Sequence, residues 1–208
     1  MPNMPENLIT DIDALQKLYG DINPLSLEKE TIYLTDDYRA WIEKSRFFAL
    51  ATGGVDGLDC SPRGDQEGQV LKILDDRTLL IPDRKGNNRL DSLKNIIKDP
   101  QVGLLFLIPG INEALRINGR AVITTDQNLI DLFELKGSLP RSVIHIEIEA
   151  VYFQCARALI RSDLWNPDAQ FEKSQVPTAG KMMKAAKSDF DGDAYDSTLP
   201  ERQRSTLY

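Results

Sequence analysis

Apolar positions along this chain change period several times, and each change marks an element. Leu15, Leu18 and Tyr19 recur at helical spacing after Thr10-Asp11-Ile12-Asp13, where a short polar side chain can cap free amides. Gly20 then supplies a stop, so a first helix is expected over about 10–20. A connector containing Pro24 follows. Tyr38, Trp41 and Ile42 on one side predict a second helix over about 36–44.

From Phe47 the pattern is that of strands. Residues 47–52 are apolar, Gly53-Gly54-Val55-Asp56-Gly57 is turn chemistry, and 58–61 leads out, which reads as a hairpin. Residues 70–74 and 78–81 are strands around the turn Asp75-Asp76-Arg77. Leu90, Leu93, Ile96 and Ile97 form a helical stripe that Asp99-Pro100 ends. Residues 102–108 predict a buried strand. Residues 115–124 predict another, with Gly119 as a bulge. A helix over about 126–135 and a long strand over 142–153 complete the pattern. Many short strands, hairpin turns and few helices predict a mainly β chain with α additions, a barrel with peripheral helices rather than βαβ units. Residues 170–208 are polar and read as a mobile tail or an arm laid on a partner.

The chain has 208 residues, enough for one ordinary domain with additions, and its 41% hydrophobic content can build a core. The net charge of -7 argues against a nucleic-acid partner, which wants a basic face. Cys60 and Cys155 lie far apart, without metal-ligand spacing. The first ten residues show no basic region before an apolar run, so no signal peptide is expected. Residues 102–108 are too few to cross a bilayer, so no membrane partner and a cytoplasmic location are expected.

The segment Pro82-Asp83-Arg84-Lys85-Gly86-Asn87-Asn88-Arg89-Leu90 follows a strand and opens a helix, with Asn88 as the expected N-cap. A helix start presents unpaired N–H groups and the positive end of the dipole, and Arg84, Lys85 and Arg89 add charge. A phosphate monoester would be well held there; a solvated loop with ordinary capping is the plainer alternative. In Cys60-Ser61-Pro62-Arg63-Gly64-Asp65 the Arg63 fork could reach a ligand at the barrel mouth beside the Ser61 hydroxyl, or pair with Asp65. Gly53, Gly54 and Gly57 lack G-x-G-x-x-G spacing and no helix follows, so they are a turn. His145 is the only histidine, which excludes a multi-histidine metal site; a structural role suits it best. In the run from Cys155, helical spacing brings Arg157, Arg161 and Trp165 to one side. A Trp beside an Arg can cover a flat aromatic ring, or can anchor the helix to the core.

Taken together, residues 47–52, Ser61-Pro62-Arg63-Gly64-Asp65, 80–95, 102–109, 115–120 and 155–165 resemble the pyridoxamine 5'-phosphate oxidase-like flavoproteins, in a branch of FMN-dependent enzymes of unknown substrate. The resemblance implies a six-stranded split β-barrel of the FMN-binding type over 35–165. A helical extension would precede it over 1–34, and a tail over 166–208 would pack on a dimer. It implies a homodimer with two FMN sites between the subunits. Asn88 and Arg89 match the place where the family holds the FMN phosphate. Ile81 and Pro82 match the strand that borders the isoalloxazine ring, and Asp83 continues it. Arg63 and Lys72 lie in the neighbouring region that supplies basic phosphate contacts, and Ser61 offers a hydroxyl there. Arg161 and Trp165 resemble residues that reach the flavin from the other subunit. The family's Arg-x-His substrate motif is missing, since no histidine follows His145, so the vitamin ester is not the expected substrate. The expected activity is that of an FMN-dependent oxidoreductase without a metal. The alternatives are a non-catalytic flavin-binding or redox-sensing module, or the same barrel holding haem or a deazaflavin.

Overall fold

The computed structural model describes residues 6–207, so the first five residues of the expected N-terminal extension lie outside the described residues. The chain divides into two compact units, one ending at Glu30 and one beginning at Thr31. The first holds α1 (Ile12–Tyr19) and the one-turn α2 (Leu25–Glu28). The Asp11 carboxylate accepts the Ala14 amide at 2.8 Å, and Gly20 ends α1 at φ 74°. Four residues are too few to show a helical period, which is why α2 was not legible in the apolar pattern.

The second unit opens with α3 (Asp36–Lys44), whose Thr35 hydroxyl caps the Tyr38 amide at 3.2 Å. Its fully buried Ile42, with Tyr38 and Trp41, packs on the core. The strands are β1 (Phe47–Gly54), β2 (Gly57–Gly64), β3 (Lys72–Ile73), β4 (Thr78–Asp83), β5 (Gln101–Leu107), β6 (Ala114–Thr124) and β7 (Ser142–Gln154). They form one antiparallel sheet in the order β2-β1-β5-β6-β7-β4-β3. Alternate side chains such as Phe48, Leu50, Leu104, Phe106, Ile117, Ile144 and Ile146 meet in one core, each worth about 1.5–3 kcal/mol of burial.

Two expectations about this sheet need correction. It has seven strands, not six, and among the described residues no backbone ladder joins its edge strands β2 and β3. Side chains span that seam instead. Arg63 of β2 pairs with Asp83 of β4 at 3.2 Å, and Arg84 with Asp65 at 2.6 Å. The helix α4 (Asp91–Lys98) lies on β1 and β2 beside it, with Asn95 donating to the Thr52 hydroxyl at 3.2 Å. The expected strand over 70–74 shrinks to β3. Val70 and Leu71 are buried outside the ladder, below a turn in which Gln69 donates to the Gln66 carbonyl. Because β3 reaches only Leu79 and Leu80, β4 is an edge at Pro82, where a residue lacking N–H is tolerated.

The bulge expected at Gly119 is present, as a register shift between Asn118 and Gly119 against β7. The helix expected over 126–135 is only α5 (Gln127–Asp131), because Lys136 and Gly137 take positive φ and turn the chain back through a Leu135–Ser138 bridge. Beyond β7 lie α6 (Arg157–Arg161), α7 (Ala179–Ala186) and α8 (Gly192–Ser205). The polar stretch after residue 170 therefore carries two real helices. They cross at glycines: a Cβ on Gly180 would sit 2.1 Å from the Gly192 carbonyl oxygen. The Thr178 hydroxyl, and then the Gly180 amide that donates to Asp196 at 2.7 Å, hold the Asp196 carboxyl below its ordinary range. Gly180→Ala should push these helices apart at a cost of about 1–3 kcal/mol. Hydrogen exchange checks this: amides of 192–205 should lose protection while those of β5 and β6 keep theirs. Among the described residues no helix is long and apolar enough to cross a membrane.

Candidate functional site

The inward positions of β2 are polar. Asp59, Ser61 and Arg63 stand opposite Thr52, Leu50 and Phe48 of β1, which face the core. A strand at the seam can carry polar groups inward because its neighbour across the gap is a cleft rather than another strand. That cleft encloses about 250 Å³ between these residues, the end of β4, the loop 86–90, the first turn of α4 and Arg141.

The start of α4 differs from the sequence expectation. Asn88 does not cap it. The cap position is Leu90, at φ 62° and with no side-chain hydrogen bond to the helix amides. Asn88 is also left-handed, at φ 58°. The Asn87 side chain takes the Arg89 amide at 3.1 Å, and the Asn88 side chain accepts from Arg141 at 2.9 Å. Two left-handed residues without glycine cost about 1–2 kcal/mol each, and such strain clusters at ligand sites. Among the described residues no side chain caps the start of α4.

Charge in the cleft is nearly balanced: four arginines (63, 84, 89, 141) face three aspartates (59, 83, 91). Arg63 is paired with Asp83, both side chains mostly buried, at 21% and 16% exposure. Arg84 is paired with Asp65 and also donates to the Phe133 carbonyl at 3.2 Å. The Arg89 guanidinium lies against Asp91, whose carboxylate raises its pKa, and its side chain is 79% exposed. The Ser92 hydroxyl donates to Asp59 and stands 3.0 Å from the Ser61 hydroxyl. Buried Nε of Arg63 and Nη2 of Arg84 have no hydrogen-bond partner, although a buried donor left unmatched costs about 1–3 kcal/mol. Four guanidinium groups around a helix start that no side chain caps suit an oxygen-rich anion.

The structure therefore gathers Ser61, Arg63, Asp83, Asn88 and Arg89 around one cleft. Ile81 and Pro82 line a smaller adjoining pocket with Arg63, Arg84 and Lys85. Lys72 is not in the cleft; its ammonium donates to the Gly68 carbonyl at 2.9 Å. Arg161 and Trp165 do not line it either, and the Trp165 indole donates to the Ile111 carbonyl at 2.8 Å. Sequence reasoning missed Asp59, Ser92 and Arg141. Asp59 could have been found from its two-residue spacing to Ser61 and Arg63, whereas nothing local marks Arg141.

Residues 34–155 match the family model described as pyridoxamine 5'-phosphate oxidase. No curated protein matches the chain. Similar solved structures include HupZ from Group A Streptococcus, 17% identical, covering 57% of this chain and 91% of that one, with a TM-score of 0.47. A candidate pyridoxamine 5'-phosphate oxidase from Lactobacillus delbrueckii is 22% identical, covering 59% and 95%, with a TM-score of 0.47. General Stress Protein 26 from Bacillus anthracis is 20% identical, covering 55% and 88%, with a TM-score of 0.41. The family model spans more than half of the chain, including β1 through β7 and every cleft residue, and on that ground the chain belongs to the pyridoxamine 5'-phosphate oxidase family.

Proposed function

We propose that this chain is an FMN-binding flavoprotein of that family and works as an FMN-dependent oxidoreductase in a homodimer. The observation that carries the reading is the cleft at the start of α4, where Arg63, Arg84, Arg89 and Arg141 surround helix amides that no side chain caps. These residues fit a phosphate monoester. Left-handed Asn88 and Leu90 are the kind of backbone that turns amides toward an anion. The cleft's 250 Å³ is below the roughly 300–1,000 Å³ of an ordinary ligand pocket, so it suits the phosphate end and leaves the ring outside. A second chain would cover that ring. The outer face of the sheet offers Phe47, Leu58 and Leu105 as exposed apolar surface for it.

Bound flavin would supply hydride and electron transfer. The chain's part is to hold the phosphate with Arg63 and the α4 amides, to fix the ligand's direction along β4, and to restrict water. The missing substrate motif leaves the reduced or oxidised partner open to a compound other than pyridoxine phosphate.

The test is a fluorescence titration of the purified protein with FMN and with riboflavin. FMN should bind tighter by about two decades, since charge-assisted bonds to the phosphate are each worth about 1.5–3 kcal/mol. Equal constants would overturn the reading. Reduction of the bound flavin by a nicotinamide donor supports the oxidoreductase; tight binding without turnover by any donor makes it a non-catalytic flavin module. Light scattering should return a dimer.

A further inference from the structure

Three of the four cleft arginines have a carboxylate partner: Arg63 has Asp83, Arg84 has Asp65 and Arg89 has Asp91. An anion approaching any of these must share the guanidinium with a carboxylate already in place. Arg141 differs. Among the described residues its side chain has one hydrogen bond, to the neutral amide oxygen of Asn88, and no carboxylate. Asp59, the remaining carboxylate of the cleft, is held by the Ser92 hydroxyl, so Arg141 is the cleft arginine without a carboxylate of its own.

Its base is fixed by the sheet and its tip is exposed. The Arg141 amide donates to the Asp83 carbonyl at 3.2 Å, just before Ser142 pairs with Asp83 in the β4–β7 ladder. The backbone is thus tied to the sheet, while the exposed side chain crosses to the strained loop. Exchanging a neutral amide oxygen for a phosphate oxygen gives a charge-assisted bond, about twice as strong as a neutral one. Asn88 loses little, since its amide can turn to solvent. Arg89, the arginine of the local motif, is mostly exposed and committed to Asp91.

We infer that Arg141, beside Arg63, is a residue by which this cleft prefers a phosphate monoester to an uncharged alcohol, with Asn88 as its resting partner. The inference rests on the FMN reading above and adds to Arg63 a second side chain that recognises the phosphate. It reverses the order of importance that the sequence motif suggests, in which Arg89 leads.

The experiment titrates FMN and riboflavin into the wild-type protein, Arg141→Gln, Arg141→Met, Arg141→Lys and Arg89→Gln, following quenching of flavin fluorescence. Both neutral Arg141 variants should weaken FMN by about 10- to 100-fold and leave riboflavin unchanged. Arg141→Lys should fall between, because it keeps the charge and loses the fork. Arg89→Gln should change FMN binding by less than about threefold, as expected for an exposed pair. Unchanged riboflavin binding serves as the check that each variant is folded. A wild-type FMN-to-riboflavin ratio in both neutral Arg141 variants would overturn the inference while the flavin reading stands. A wild-type protein with no preference for FMN would overturn both.

Discussion

Replacing Arg63 by alanine should raise the dissociation constant for FMN by about two to three orders of magnitude, with a much smaller effect on riboflavin. Two losses combine. The first is a charge-assisted bond to the phosphate, about 1.5–3 kcal/mol. The second is the Asp83 carboxylate, 16% exposed and left facing the same cleft without its cation. Each 1.4 kcal/mol is a decade in affinity. The substitution also harms the fold, because Arg63 and Asp83 span the seam between β2 and β4. Removing one partner of a buried pair costs about 3–5 kcal/mol, and the residual exposure places this pair toward the lower end. Arg63→Ala combined with Asp83→Asn separates the two effects. The double variant should recover most of the lost stability in urea unfolding, yet still bind FMN at least about tenfold more weakly than wild type. A stable double variant with wild-type FMN affinity would remove Arg63 from the phosphate site.

Gly119→Ala should be among the most damaging single-methyl additions in the chain. The added Cβ would stand 2.2 Å from the Glu147 carbonyl oxygen and 3.2 Å from the Ile146 side chain. The near neighbour is backbone of β7, which cannot rotate aside as a side chain can. Relief requires moving β6 from β7 in the central ladder of the sheet. Overpacking of this kind costs about 1–3 kcal/mol and occasionally more. The immovable neighbour puts Gly119 at the upper end, a large share of a total stability of about 5–15 kcal/mol. Gly103→Ala is the control, since its Cβ would meet nothing closer than 3.7 Å. Urea midpoints should fall sharply for Gly119→Ala and by less than about 1 kcal/mol equivalent for Gly103→Ala. Equal midpoints for the two variants would show that the bulge yields more freely than its geometry implies.

The amino-acid pattern by itself determined the mainly antiparallel character of the fold, the span of α3, the hairpin of β1 and β2, and the bulge at Gly119. It also determined that a basic loop leads from β4 into α4. These are local properties: a period of two or 3.6, a capping residue or a turn glycine lies within a few positions of what it controls. Tertiary structure decided the rest. Val70 and Leu71 read as strand, but burial holds their side chains while their backbone leaves the ladder. Polar composition hid α7 and α8, because two small helices that pack through Gly180 and Gly192 need no broad apolar stripe. Lys72, grouped with Arg63 by sequence proximity, opens β3 and donates to the Gly68 carbonyl instead. Asn88, the expected helix cap, became the partner of Arg141 across 53 residues of chain. That pairing follows from the register of β4 on β7, which sets Arg141 beside Asp83. Register is a property of the whole packed sheet, and no local signal carries it.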